Sequence, residues 1–397
     1  MAWDNLRAEV IQYAMTLSLT DAAIQEAFDH IWSQEPDRQN RHASTWWFFL
    51  LFPEGEEGFG PRQLMFTVAT RAGRSMRISD VTMAGLDRKR PLEGDLDCFP
   101  ALNVGWYCDG ELVHDDYVKH QALAEMSFSR GDLRCLSPGA DGQPRGIAIR
   151  RSAAEPLVME CDVYGPGREA HFRTWSDMSS PTDSPHVALD IDTPFGGTHY
   201  IAVRRLQFEG EFDLPTGRER LTGTGFFQRV GLNIPLFPWK WIWAAFPDGT
   251  LFSAYVPYIG LNLFRKGYRF FKSNRVEQAS LSIAQSATWI PPRGMPATHF
   301  KRASVTPVLG RGPHPQFDVT CSGASGDALR FTAAPYGHTR FYIDRPSLGG
   351  LAESHWSYNE YMFRMEGLNG TVGGRPISRD TVGQAFGSLE YTYGLGL

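Results

Sequence analysis

The chain reads as an all-β protein, two β domains behind a short N-terminal helical segment. Three observations predict this. Beyond the first helical stretch, short runs of alternating character, rich in Val, Ile, Thr and aromatics, dominate the text. Gly, Pro and Asp turns punctuate them. The candidate strands number roughly twenty, too many for one small barrel.

Taken in order, residues 1–36 form the helical segment. Leu6, Val10, Tyr13 and Leu17 recur at spacings of three and four, and so do Ile24, Ala27, Phe28 and Ile31 after a cap at Thr20 or Asp21. Pro36 and the polar run 37–41 end it. Runs 63–70, 145–151, 157–164 and 199–208 read as strands of a first β domain, 37–235. Runs 252–258, 331–334 and 340–344 belong to a second, 236–397. Cys108-Asp109-Gly110-Glu111, Asp141-Gly142 and Pro247-Asp248-Gly249 supply hairpin turns. The boundary is set near residue 235, where a Pro-rich break precedes a dense aromatic run.

Composition removes several classes. With 40 Gly and 26 Pro in 397 residues, about 17%, the chain is under the ~25–30% of low-complexity sequences. A formal charge of −5 and no polybasic block argue against a nucleic-acid partner. Five cysteines without a Cys-x-x-Cys pair fit free thiols in a reducing compartment. No signal peptide is read at Met1-Ala2-Trp3-Asp4, and the longest apolar run, 46–52, is too short to span a bilayer. The expectation is a soluble cytoplasmic protein without an integral membrane segment; oligomeric state is left open.

Phosphate-loop, dinucleotide, His-Glu-x-x-His and Gly-x-Ser-x-Gly signatures are all missing. His114, Asp115, Asp116 and His120 cluster, but strand alternation splits them between two faces, and a solvated hairpin edge is the simpler reading. No metal is expected.

The 13% aromatic share concentrates in three places. Thr45 to Phe52, containing Trp46 and Trp47, is apolar on both faces, so one face meets a core and the other something else apolar. Gly223 to Gly231 holds Phe226, Phe227, Gln228 and Arg229. In Pro238 to Phe246 the indoles of Trp239, Trp241 and Trp243 share one face. Tyr255 lies on the strand that follows. A later segment, 353–362, puts Trp356, Tyr358 and Glu360 on one face and His355, Ser357, Asn359 and Tyr361 on the other. Two readings stay open: an aromatic core between sheets, or one wall of an apolar pocket.

Together these motifs resemble, in order, the lipocalin-like superfamily that holds carotenoid 1,2-hydratase (hydroxyneurosporene synthase), AttH-type proteins and the β-barrel decalin-forming Diels–Alderases. The matching pieces are Trp46-Trp47, Gly223 to Gly231, Trp239 to Gly249, and Gly387-Ser388-Leu389-Glu390-Tyr391, spread over residues 42–393. The resemblance implies two lipocalin-like β-barrel or sandwich domains with a hydrophobic pocket at or near their junction. It also implies a long apolar substrate, often a polyene or isoprenoid, and no organic cofactor.

One departure bears on chemistry. Hydratase-type members carry an Asp-His pair within the mid-chain motif, where this chain has Gln228-Arg229-Val230-Gly231. Protonating an alkene needs an acid, and neither Gln nor Arg serves as one. That work would move to Asp248, Glu353, Glu360 or Glu390. A pericyclic cyclisation asks for less, since orientation in an apolar pocket lowers the barrier and donors polarise a carbonyl. The expectation is therefore a cyclase of the Diels–Alderase type. Gln228, Arg229 and Glu360 are its catalytic candidates. Trp46, Trp47, Phe226, Trp239, Trp241, Trp243, Tyr255, Trp356 and Tyr358 are its substrate-binding candidates. The alternatives are a carotenoid or isoprenoid hydratase, a cation-driven cyclase, and a non-catalytic carrier. The N-terminal helices are expected to cap the pocket mouth.

Overall fold

The structure, a computed structural model, describes residues 21–32, 44–55, 58–71, 75–85, 94–155, 157–176, 186–191, 198–232, 238–260, 280–292, 295–309, 312–323, 325–347 and 352–394. Helix α1 (Asp21–Asp29) and a 3-10 turn (His30–Trp32) precede β1 (Ser44–Gly55), β2 (Gly58–Phe59) and β3 (Arg62–Arg71). A short hairpin follows, β4 (Met76–Ile78) and β5 (Val81–Met83). A meander then runs through β6 (Leu96–Asp109), β7 (Leu112–Ser127), β8 (Asp132–Pro138), β9 (Pro144–Arg151), β10 (Met159–Gly165) and β11 (Arg168–Ser176). Next come β12 (His186–Ile191), β13 (Thr198–Leu214) and β14 (Gly217–Leu232). The order β11-β10-β9-β8-β7-β6-β3-β1-β14-β13 returns on itself because β11 also pairs with β13, and ten antiparallel strands close into a barrel. Closure leaves these ten strands without a free edge.

The second sheet is built from β15 (Trp239–Ala245), β16 (Leu251–Gly260), β17 (Ser280–Ser282), β18 (Ser286–Ile290), β19 (Thr298–Phe300), β20 (Arg302–Val308) and β21 (Gln316–Ser322). It continues with β22 (Ala328–Ser347), β23 (Ala352–Val372), β24 (Arg375–Ser378) and, after the short α2 (Arg379–Val382), β25 (Phe386–Gly394). Its order is β19-β18-β16-β15-β25-β23-β22-β21-β20. The sheet curls far enough for Lys240 Nζ on β15 to donate to the Val305 carbonyl on β20 at 2.7 Å. The fold is all-β, as the strand count predicted. The runs at 331–334 and 340–344 are one strand, β22, irregular between Pro335 and Gly337. Among the described residues no helix is long and apolar enough to cross a membrane.

Alternation divides the apolar residues into three cores. Trp47, Phe49 and Leu51 of β1 point into the barrel, with Phe66, Phe172 and Phe227. Ile242 and Ala244 of β15 point into the second sheet's own core with Tyr361, Leu389 and Tyr391. Phe48, Leu50 and Phe52 turn outward and meet Trp241 and Trp243 in a third core between the two. The Phe48–Trp241 and Phe52–Trp243 ring centroids lie 6.1 and 4.8 Å apart. This is the second apolar partner that a strand apolar on both faces requires. Gly223 and Gly225 let β14 lie close to β1: a Cβ there would stand 2.1 Å from the Phe52 carbonyl oxygen and 2.5 Å from that of Leu50.

The expectation for the N-terminal helices needs correcting. Phe28, Ile31 and Trp32 are buried in the barrel's own core. Trp47 Nε1 donates to the Ile31 carbonyl at 2.5 Å, and Arg151 pairs with Asp29 beneath the same segment. This helix therefore seals the barrel interior rather than a pocket between the sheets; the stripe from Leu6 to Leu17 lies outside the described residues. The expected boundary at 235 also falls outside them. The β4–β5 hairpin, from the first half of the chain, pairs with β22 of the second sheet (Ile78 opposite Ile343, Arg77 opposite Asp344).

Candidate active site at the junction

A cavity of about 170 Å³ lies between the outer face of the barrel and the facing side of the second sheet. That is close to the ~150 Å³ at which an apolar protein cavity holds benzene. Trp46, Phe48, Met65, Thr67, Leu102 and Val104, on β1, β3 and β6, form the barrel wall. Trp239, Phe341, Ile343, Trp356 and Tyr358 form the opposite wall, and Ile78 and Met83 of the β4–β5 hairpin cover one side. The two charged groups on this lining are Glu360 and Glu390.

Strand alternation puts them there. On β23, Trp356, Tyr358 and Glu360 face the junction while Ser357, Asn359 and Tyr361 face the sheet's own core. On β25, Ser388, Glu390 and Thr392 alternate with Leu389, Tyr391 and Tyr393 in the same way. Glu360 and Glu390 are directly opposed across the β23–β25 ladder, 0% and 4% exposed. Each carboxyl is held by an indole: Trp106 Nε1 donates to Glu360 Oε2 at 2.6 Å, and Trp239 Nε1 to Glu390 Oε2 at 2.6 Å. The Tyr358 hydroxyl donates to Glu360 Oε1 at 2.8 Å.

Two opposed carboxyls in an apolar site cannot both ionise cheaply. Burial first, and the facing Glu390 carboxylate second, push Glu360 well above the usual carboxylate range. Burial does the same to Glu390, while the nearby Tyr358 hydroxyl and the Trp239 indole N–H pull the other way. The Tyr358 phenol is itself driven far up by burial and then by the two Glu charges. The arrangement keeps a carboxylic proton inside an apolar chamber at neutral pH, which makes it a hydrogen-bond donor and a proton source.

The residues singled out from sequence divide by strand parity. Trp46, Trp239, Trp356, Tyr358 and Glu360 line the cavity together. Trp241, Trp243 and Phe226 share its side of the strands but pack against each other and β1 as inter-sheet core; the Phe226–Trp241 centroids are 5.1 Å apart. Gln228, opposite Phe48, also turns to the junction but is not among the lining residues. Trp47 and Arg229 do not reach the cavity. They are opposed on β1 and β14, face the barrel interior, and stack there with the guanidinium 6.0 Å from the indole centroid. Arg229 thus has no access to a molecule in the cavity. Tyr255, paired with Trp241 in register, is 45% exposed and lies off the lining.

Of the other acids considered, Asp248 is a turn former, accepting from the Thr250 backbone N–H and hydroxyl at 2.9 Å each. Glu353 sits near the start of β23, opposite Pro346. Asp116 pairs with Arg168, and His120 with Ser137, on β7. Among the described residues no group of three or more His, Cys, Asp or Glu is placed to hold a metal ion.

Sequence reasoning passed over Trp106 and the β4–β5 hairpin. For Trp106 the marker is tertiary: β6 is buried along both faces from Ala101 to Cys108, because its outward residues meet the second sheet. Nothing local marks the hairpin, whose partner strand is far along the chain.

No family model matches the chain, and no curated protein matches its sequence. Solved structures similar to it include one described as AttH from Nitrosomonas europaea, at 13% identity over 90% of this chain and 96% of that one, TM-score 0.47. Kievitone hydratase from Nectria haematococca is 12% identical over 90% of this chain and 91% of its own, TM-score 0.43. CghA with Sch210972 is 10% identical over 90% and 89%, TM-score 0.43. At these identities the likeness is one of fold alone.

Proposed function

We propose that the chain is a cofactor-independent enzyme that cyclises or isomerises a hydrophobic, unsaturated molecule, such as a linear polyene or isoprenoid, in the junction cavity. The observation that carries this reading is the Glu360–Glu390 pair, two carboxyls directly opposed on the lining of a largely apolar chamber. The apolar walls favour a folded conformer of a flexible chain, which lowers the entropic part of a cyclisation barrier. A neutral carboxyl then donates to a carbonyl or a double bond as charge develops there. Gln228 and Arg229 play no part in this chemistry; the acid is supplied by β23 and β25.

The same acid pair suits alkene protonation followed by water addition, the hydratase alternative, but the largely hydrocarbon walls favour a product without added water. Incubation with a panel of linear polyenes and acyclic isoprenoids, followed by mass spectrometry, separates the readings. An isomer of unchanged mass is expected; a gain of one water identifies a hydratase, and binding without conversion identifies a carrier. Equal conversion by the Glu360→Gln, Glu390→Gln double variant would overturn the role of the acid pair. Native mass spectrometry of freshly purified protein supplies the panel's first member if a ligand is retained.

A further inference from the structure

The chamber has acids on its walls and no base. Its lining holds Glu360 and Glu390 and, among the described residues, no Lys, Arg or His. Arg77, the one basic residue of the hairpin 76–83 that covers it, is turned to Asp344 at 2.7 Å. The groups that hold the acids are neutral donors: the Trp106 and Trp239 indoles, each at 2.6 Å, and the Tyr358 hydroxyl, 2.8 Å from Glu360 Oε1. A buried carboxylate is costly until a cation pairs with it, and the described walls of the chamber supply none.

Aromatic rings gather on the same wall. Trp239 stands 5.3 Å from Trp356 and 6.1 Å from Tyr358, centroid to centroid, and Tyr358 stands 6.2 Å from Phe341. The negative faces of such rings attract a cation, more strongly once water is excluded. Thr339 is directly opposed to Glu360 on the other side of β23, so the two side chains share a face. It is 3% exposed, and its Oγ1 has no hydrogen-bond partner among the described residues. A buried hydroxyl in that state loses free energy that an incoming donor restores. An ammonium group has three donors and no acceptor, which matches a site made of carboxyl oxygens, a spare hydroxyl and aromatic faces.

Resting on the reading of the junction cavity as the substrate site, we propose that its acid end recognises an organic cation, and that the molecule this protein takes is a hydrophobic amine whose ammonium meets Glu360 and Glu390. The hydrocarbon part of the ligand lies along Phe48, Met65, Leu102 and Val104 on the barrel wall. A metal ion is the poorer occupant, since it asks for a shell of oxygen ligands or water, and the walls beyond the two acids are mostly hydrocarbon. Two acids also allow two roles. One, ionised, balances the ammonium; the other keeps its proton for the donation described above.

The test compares geranylamine with geraniol by isothermal titration calorimetry on the full-length protein at pH 7. The two share one acyclic isoprenoid skeleton, and an aliphatic amine, with a pKa near the ~10.4 of lysine, is charged at that pH. The wild type is expected to bind the amine at least about tenfold more tightly than the alcohol. The Glu360→Gln, Glu390→Gln double variant should lose that preference while still binding geraniol. Equal affinities in the wild type, or no binding of either compound, would overturn the cation site, and these results need no variant to fold. A preference that survives in the double variant would overturn it too, because the amine would then be held by acids elsewhere on the chain. Conversion of an isoprenoid by a wild type that shows no preference for the amine sinks the cation site and leaves the proposed function standing. Preferential binding of the amine without conversion of any polyene or isoprenoid upholds the cation site and sinks the catalytic reading.

Discussion

Replacing Glu360 and Glu390 by Gln removes a pair whose ionisation works against the fold. Directly opposed Cβ atoms in an antiparallel ladder lie roughly 5 Å apart. At that spacing two carboxylates repel by about 3 kcal/mol at an effective dielectric of about 20, equivalent to about two pKa units. Both groups are raised above their ordinary value of 4.5 in the folded protein, so the native state holds protons that the unfolded chain releases. The pair's contribution to stability is therefore complete below about pH 4.5 and is lost as pH climbs through the raised folded-state values. Urea unfolding followed by tryptophan fluorescence, from about pH 5 to about pH 9, reads this directly. The wild type should lose at least about 3 kcal/mol more than the Glu360→Gln, Glu390→Gln double variant over that span, repulsion supplying that much and burial adding to it. Each single variant should lose the part of the excess slope that repulsion supplies and keep the part that burial of the remaining acid supplies. Parallel stability curves for wild type and double variant would refute the reasoning, because the acids would then be hydrated or ionised without penalty.

Trp106→Phe removes the indole that holds Glu360 Oε2, and should cost about 1–3 kcal/mol by leaving a buried acceptor unmet. It should also steepen the loss of stability with pH, because the ionised carboxyl loses a donor; the same urea series measures both. Gly225→Ala places a Cβ 2.5 Å from the Leu50 carbonyl oxygen, where only backbone can yield, and should cost about 1–3 kcal/mol, seen as a lowered thermal midpoint. Asp248→Ala forfeits two hydrogen bonds to Thr250 and should cost roughly 1 kcal/mol. It should leave conversion of any polyene substrate unchanged, and a loss of activity with stability intact would return Asp248 to the list of acids.

What the sequence disclosed was whatever depends on period two. Alternation in 353–362 separated Trp356, Tyr358 and Glu360 from Ser357, Asn359 and Tyr361, and the same rule aligned Trp239, Trp241 and Trp243. It did not reveal which face turns to the junction. Trp47 and Arg229 were grouped with Trp46 and Gln228 because they adjoin them in the chain, yet one residue of offset sends them into the barrel. The approach of Glu360 to Glu390 depends on a strand pairing between segments separated by a turn, a short strand and α2. Neither residue's neighbours signal it, so Glu390 entered as one acid among four. The role of Trp106 rests on packing between two sheets, a property of tertiary contact rather than of β6 alone. The helix at 21–29 was legible as an amphipathic stripe, but its destination was not, since the same apolar face fits any apolar opening.

The hairpin at Met76–Met83 has a further consequence, for the order in which the molecule assembles. It is made early in the chain, yet its outer strand pairs with Ile343 and Asp344. Arg77 reaches the Asp344 carboxylate at 2.7 Å, and the Ser79 backbone N–H reaches the Tyr342 carbonyl at 2.6 Å. Such a pairing closes one of the longest loops in the chain, and its entropy cost must be met before the contacts form. A nascent chain that has completed the barrel still carries β4 without its second partner strand until β22 emerges. The chamber holding the two acids is therefore among the last features to form, and a fragment ending before β22 would fold, if at all, without it.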